Sequence, residues 1–192
     1  MKNQYRTILL LSVLVVAAAV LRVLNAGYHF YNLVPVTAMG LVCGSALKQN
    51  RYAYLIPLSA MLLSDIGLSL FTSVQGFYGI SQWVNYLALV LVTRLGVSMK
   101  RRTILPIIGY TICGSFLFFL LSNAGTFLSG YYGYTREGLF QCYLMAIPFY
   151  RNELATSFFV NSFSGDLIFS FTAFGLLALN SYKQRYAANL LS

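Results

Sequence analysis

The sequence predicts an all-α membrane protein, a bundle of about six transmembrane helices with both termini in the cytoplasm. Three observations carry that prediction. Of 192 residues, 58% are apolar and 9% are charged, against about 25% charged in an average soluble domain. A soluble fold cannot cover its surface with so few charges, whereas lipid tails replace water around a spanning one. The apolar residues fall in runs, and at roughly 20 residues per crossing the chain has room for about six spans. The basic residues cluster between those runs, so 1–192 reads as a single transmembrane domain.

The spans follow from the runs in order. Span 1 covers 7–24, and span 2 covers 33–47 with Pro35 in its first turn, where a missing N–H costs nothing. Span 3 covers 52–71 and span 4 covers 79–95. Span 5 covers 103–122 and span 6 covers 161–182. Span 2 is the shortest of the set. Gly40 and Gly44 give it a GxxxG pattern, and Ala17–Ala19 give span 1 a smooth face. Small residues of this kind let helices approach closely in lipid, within the chain or against a partner.

The net charge is +9, from 13 Lys and Arg against four acids. A soluble protein this basic would point to nucleic acid, but here the charges lie where topology puts them. Lys2, Arg6, Lys48, Arg51, Arg94, Lys100, Arg101, Arg102, Lys183 and Arg185 fall on one side of six spans. Arg22, Arg136 and Arg151 fall on the other. By the positive-inside rule the ten-residue side is the cytoplasm. Lys2 and Arg6 followed by an apolar stretch and the alanines also fit a cleaved signal peptide. Apolar residues continue past the alanines, and removal would leave an odd number of spans, which favours a retained helix. Cys43, Cys113 and Cys142 are an odd number without CxxC spacing, which argues against a disulfide framework.

Residues 123–160 form a long outer segment rich in aromatics, among them Tyr131, Tyr132, Tyr134, Phe140, Tyr143, Phe149 and Tyr150. So many rings argue against disorder, and loops of this length are commonly functional. The segment is expected to cover a ligand, in part as an interfacial or re-entrant helix, or else to form only an aromatic belt.

Charges within spans are the sharpest chemical signal, because each is costly unless paired or hydrated. Arg22, Asp65 and Asp166 lie in three different spans. At 1.5 Å per residue they sit roughly 3, 9 and 8 Å below the outer surface. Ser69 lies one turn from Asp65, and Ser162 and Ser170 bracket Asp166. Two readings remain open: a buried ion pair of Arg22 with one acid, or a polar cavity opening outward. Asn32, Gln82, Asn85, Ser122 and Asn123 fall near the same level and are candidate hydrogen-bonding groups. The expected ligand-binding set is Asp65, Asp166, Asn123, Arg22, Asn32 and Tyr143. Catalytic signatures are absent. His29 is the only histidine, so HExxH cannot form, and neither GxSxG nor a P-loop occurs. The expectation is no enzyme, no cofactor and no metal.

Several short motifs occur together: Asn32-Leu33-Val34-Pro35-Val36-Thr37-Ala38, Ile56-Pro57-Leu58-Ser59-Ala60-Met61-Leu62-Leu63-Ser64-Asp65, Phe119-Leu120-Leu121-Ser122-Asn123, Gly138-Leu139, Cys142-Tyr143, Ala146-Ile147-Pro148-Phe149 and Gly165-Asp166-Leu167. Over about 21–179 the chain thereby resembles a DUF6580-like family of uncharacterised bacterial membrane proteins named for transport. That family is similar to the substrate-binding S components of energy-coupling factor (ECF) vitamin transporters. The resemblance implies an ECF S-component-like bundle in the bacterial cytoplasmic (inner) membrane. It implies uptake of a vitamin-like solute, with a transmembrane coupling subunit and two ATPases as partners. The missing P-loop agrees with an external energy source. Leu33 and Ala124 depart from aromatics usual in the family, and 150–160 is longer, so the solute is expected to differ from that of relatives. The rival function is a membrane scaffold or assembly protein that carries no ligand.

Reporter fusions test the topology. Fusions after Gln49, Lys100 and Lys183 should report cytoplasm, and fusions near Gly76 and Gly133 should report the outside. A cytoplasmic signal at Gly133 would reverse the parity of spans 5 and 6 and end the six-span layout.

Overall fold

The computed structural model describes residues 2–27, 35–48, 50–146 and 158–189. Seven helices occur among them and no strand: α1 (Lys2–Gly27), α2 (Val36–Leu47), α3 (Tyr52–Phe71), α4 (Ile80–Ser98), α5 (Ile104–Leu128), α6 (Arg136–Ala146) and α7 (Phe158–Asn189). Five of these, α1, α3, α4, α5 and α7, are long and apolar enough to cross a membrane. The predicted span 3 coincides with α3. The predicted span 2 corresponds to α2, which has 12 residues. That is roughly 18 Å of helix, well short of a bilayer core of about 30 Å.

The exposed surface is apolar along whole helix faces. Leu9, Val13, Val16 and Val20 line the outside of α1, Leu105, Ile112 and Phe116 that of α5, and Ile168, Phe171 and Leu179 that of α7. Such faces would aggregate in water and are stable only against lipid. The chain is a multi-pass helical membrane protein. The inward face of α1 carries Leu11, Val15 and Ala18 at helical spacing. Ala18 and Ala19 are buried, while Ala17 faces out.

Ten of the 12 residues of α2 are buried. It is the hub of the bundle, packed by α1, α3, α4, α5 and α7. Gly40 faces Leu89, Val92 and Thr93, and Gly44 faces Thr93 and Val97. Residue numbers therefore rise together along the contact, so α2 and α4 run parallel. The approach is close enough to exclude any side chain. A Cβ on Gly44 would lie 2.2 Å from the Thr93 carbonyl oxygen, and one on Gly96 would lie 2.5 Å from that of Leu41. The GxxxG pair thus serves packing inside the chain, where dispersion contacts replace the hydrophobic effect that lipid cannot supply. Helix α5 lies antiparallel to α7, with Thr111 bonded to Ser170 at 3.1 Å and Ser115 to Asp166 at 2.8 Å.

Residues 123–128 prolong α5, so the aromatic outer segment begins in helix. Asn123 does not end α5, because its Nδ2 donates to the Phe119 carbonyl one turn back at 2.8 Å. Gly125 continues it and permits contact with Ser81 and Val84 of α4. Helix α6 occupies the middle of the segment and docks on α5.

The packing gives a graded prediction. Gly44→Ala and Gly96→Ala should each lower stability by about 1–3 kcal/mol or more, since backbone must move to admit the methyl. Gly175→Ala, with open space around its Cβ position, should be neutral or stabilising by up to about 1 kcal/mol through helix propensity. Thermal unfolding in detergent reads the difference, and equal effects at all three sites would refute the close α2–α4 contact.

Candidate functional site

Two buried carboxylates organise the polar interior, and they are held differently. Asp65 sits on α3 with no exposed surface. Its Oδ1 forms an ion pair with Nη1 of Arg22 from α1. Its Oδ2 accepts from Gln82 Nε2 at 3.1 Å and from the Tyr86 hydroxyl at 2.8 Å, both on α4. Arg22 Nη1 also donates to Ser64 Oγ, which donates in turn to the Met61 carbonyl at 2.8 Å. Three spanning helices therefore meet on one carboxylate. Removing a charge from water costs several kcal/mol, and a close cation with full hydrogen bonding is what repays it.

The loop between α3 and α4 closes over this group. Gly76 packs so tightly that a Cβ there would meet the Asp65 backbone oxygen at 1.8 Å. The Gly76 N–H donates to Ser69 Oγ at 3.2 Å. Tyr78, half-buried in the same loop, accepts from Asn85 Nδ2 at 3.1 Å. Burial pushes the Tyr78 phenol above its ordinary value, so the hydroxyl stays protonated and neutral. The other end of the Asn85 amide, Oδ1, is buried with no hydrogen-bond partner.

Asp166, on α7, is equally buried but has no such cation. Oδ1 accepts from the Ala38 N–H at 3.1 Å, and Oδ2 accepts from Ser115 Oγ at 2.8 Å. Ala38 lies in the first turn of α2, where backbone N–H groups lack helical partners. Pro35 precedes that turn and offers no side-chain cap, so a carboxylate from another helix supplies it. The positive end of α2 contributes up to about 2 kcal/mol toward the ionised form, and each charge-assisted hydrogen bond about 1.5–3 kcal/mol. A lone acid in mid-bilayer costs about 2.5–3.5 kcal/mol or more. At the other end of α2, Arg102 from the α4–α5 loop donates through Nη2 to the Ser45 carbonyl. Burial lowers the Arg102 guanidinium below its ordinary value. Beside Asp166, the hydroxyl of Thr37 is fully buried.

A protein-family model matches residues 2–189, nearly the whole chain. The chain belongs to DUF6580, a family of unknown function. No curated protein and no solved structure matches it.

Of the residues that the sequence singles out in this DUF6580 chain, the structure pairs Arg22 with Asp65 and gives Asp166 different partners. Asn123 and Tyr143 join α5 to α6. Cys142 Sγ donates to the Asn123 carbonyl at 3.3 Å, and the Tyr143 hydroxyl donates to the Leu120 carbonyl at 2.7 Å. The Tyr143 ring meets Phe119 edge-on with centroids 6.1 Å apart. Asn32 lies outside the described residues. Gln82 bonds Asp65 and Ser170 bonds Thr111, each one turn from a further polar partner. The sequence reading missed Tyr86, Ser115, Thr37 and Arg102. Helical spacing was the available signal for two of them: Gln82–Tyr86 and Thr111–Ser115 are i, i+4 polar pairs in apolar helices. Among the described residues no group of His, Cys, Asp and Glu is arranged to hold a metal ion.

The ion pair sets the expected response to substitution. Asp65→Asn leaves Arg22 buried without its counter-charge and should lower stability by about 3–5 kcal/mol. Replacing both, Arg22→Met with Asp65→Leu, should recover most of that loss. Unfolding midpoints in detergent test this, and an Asp65→Asn variant as stable as the parent would show that the pair contributes nothing.

Proposed function

We propose that this chain is a membrane solute-binding subunit for uptake of a vitamin-like small molecule, working with a separate energising module. The observation that carries the reading is the buried, unpartnered Asn85 Oδ1 beside the Arg22–Asp65 group. A buried amide oxygen without a donor is costly, and a solute N–H or O–H would satisfy it. The surroundings suit a small ring system. Tyr78 is bonded to the same amide, and Tyr86 reaches the same carboxylate. Aromatic walls with a few fixed polar groups are the usual composition of a small-molecule site. The positive-inside pattern orients this end of the bundle outward. By the resemblance, a transmembrane coupling subunit and ATPases would supply the energy, and the bacterial cytoplasmic membrane would be the location.

One observation favours a second reading, a scaffold or assembly protein. The charges of Asp65 and Asp166 are met by groups of the same chain, the pattern of a structural pin.

Gentle purification followed by mass spectrometry separates the two. The uptake reading expects a retained small molecule, depletion of that molecule from the medium by expressing cells, and at least tenfold weaker binding by Asn85→Leu at unchanged unfolding temperature. Co-purification of another membrane protein with no retained molecule and no depletion would favour the scaffold.

A further inference from the structure

We propose that the basic end of the bundle binds an anionic phospholipid, with Lys48, Arg51, Lys100, Arg101 and Arg102 around its phosphate headgroup. The surface is separate from the Asn85 group and does not depend on the uptake reading.

The first observation is that this end carries one sign of charge. The four acids of the chain are Asp65, Glu137, Glu153 and Asp166. Asp65 lies about four turns of α3, roughly 20 Å, from Arg51. Asp166 meets the start of α2, whereas the basic residues gather at its end. Glu137 lies on α6, which follows the far end of α5. Among the described residues no acid stands beside these cations. Arg51 lies over the Tyr52 ring at 5.7 Å, which gives it a contact but no counter-charge. The balancing anion must come from outside the chain.

The second observation is that the cations are drawn to one place. The Ser45 carbonyl accepts from Arg102 Nη2, which sets the α4–α5 loop against the last turn of α2. Lys48 and Arg51 follow Ser45 closely in the chain. Lys48, Arg51, Lys100 and Arg101 are exposed, and Arg102 is exposed in part. The carbonyl fixes the Arg102 guanidinium through one nitrogen, and the rest of its planar fork suits a phosphate. The positive-inside rule accounts for the sign of this end, and the packing of α2 against α4 accounts for its focus.

The third observation selects a lipid over a soluble anion or an acidic protein. Ile104 and Leu105 open α5 directly after the cations and are 68% and 81% exposed. Tyr52 and Leu55 follow Arg51 and are exposed as well. In a multi-pass chain these side chains face acyl tails. Cations at headgroup level with apolar side chains just below them match both parts of one phospholipid. Clusters of Lys and Arg at the ends of spanning helices recognise anionic headgroups in this way, each cation strengthening the attraction about fivefold.

Lipid exchange followed by mass spectrometry of the full chain tests the proposal. In mixtures of phosphatidylglycerol and phosphatidylcholine, the chain should retain phosphatidylglycerol at least tenfold over its neutral counterpart. Lys100→Gln with Arg101→Gln should cut that preference at least fivefold at an unchanged unfolding midpoint, and so should Lys48→Gln with Arg51→Gln. Arg136→Gln, at the opposite end, should leave it intact. In the unsubstituted chain about 0.5 M salt should weaken retention by screening. The proposal fails if phosphatidylglycerol is not preferred, if salt leaves its retention unmoved, if the preference survives both double variants, or if Arg136→Gln lowers it equally. Displacement of the lipid by millimolar inorganic phosphate at constant ionic strength would also overturn it, by assigning the surface to a soluble anion. So would an acidic protein that co-purifies with the parent, blocks lipid binding and is lost from the Lys100→Gln, Arg101→Gln variant.

Discussion

A helix packed on many sides within an apolar bundle must find partners for its terminal N–H and C=O groups, and α2 is such a helix. Lipid cannot bond those groups. Asp166 meets the N-terminal end, and Arg102 meets the C-terminal end. Negative charge stands at the positive pole and positive charge at the negative pole, the arrangement that a helix dipole favours. Helices α5 and α7 and the α4–α5 loop are drawn together by this requirement, because each brings a group that α2 lacks.

The remaining contacts of α2 are steric. Gly44 and Gly96 let it lie against α4 with backbone touching backbone. The second carboxylate performs an independent task at the same end of the bundle. Asp65 ties α1 to α3 and, through Gln82 and Tyr86, to α4. One acid therefore seats the central helix and the other gathers three helices around it. Their environments differ in counter-charge: a guanidinium in one case, and only dipoles and hydroxyls in the other.

Much of this was legible in the sequence. Helix α3 is flanked by Arg51 and by Thr72, so its ends could be read directly. A pair of Arg22 with one of the two acids was recognisable because buried charges are rare, but the choice between Asp65 and Asp166 was not. Asp166 was recognisable as costly, but its partner was not. The Ala38 N–H belongs to the backbone and leaves no signature in residue type. The roles of Asn123 and Tyr143 were hidden for a related reason. Polar residues near a helix end suggest a rim, yet here they bond main-chain carbonyls and dock one helix on another. Helix α5 overran its expected end because Asn, Ala and Gly at 123–125 act in context as helix and contact residues, whatever their intrinsic preference.

The distance along the chain between α2 and its two caps bears on how the protein is made. Asp166 follows Ala38 by 128 positions, and Arg102 follows Ser45 by 57. When α2 leaves the ribosome, neither group exists, and the helix is too short to cross a bilayer by itself. It must wait in a provisional place, at the interface or in the insertion machinery, while α3, α4 and α5 are synthesised. Its final seat becomes available only when α7 arrives. The order of synthesis and the order of assembly are therefore opposed at this point, and a chain stopped before α7 would be left with an unfinished centre.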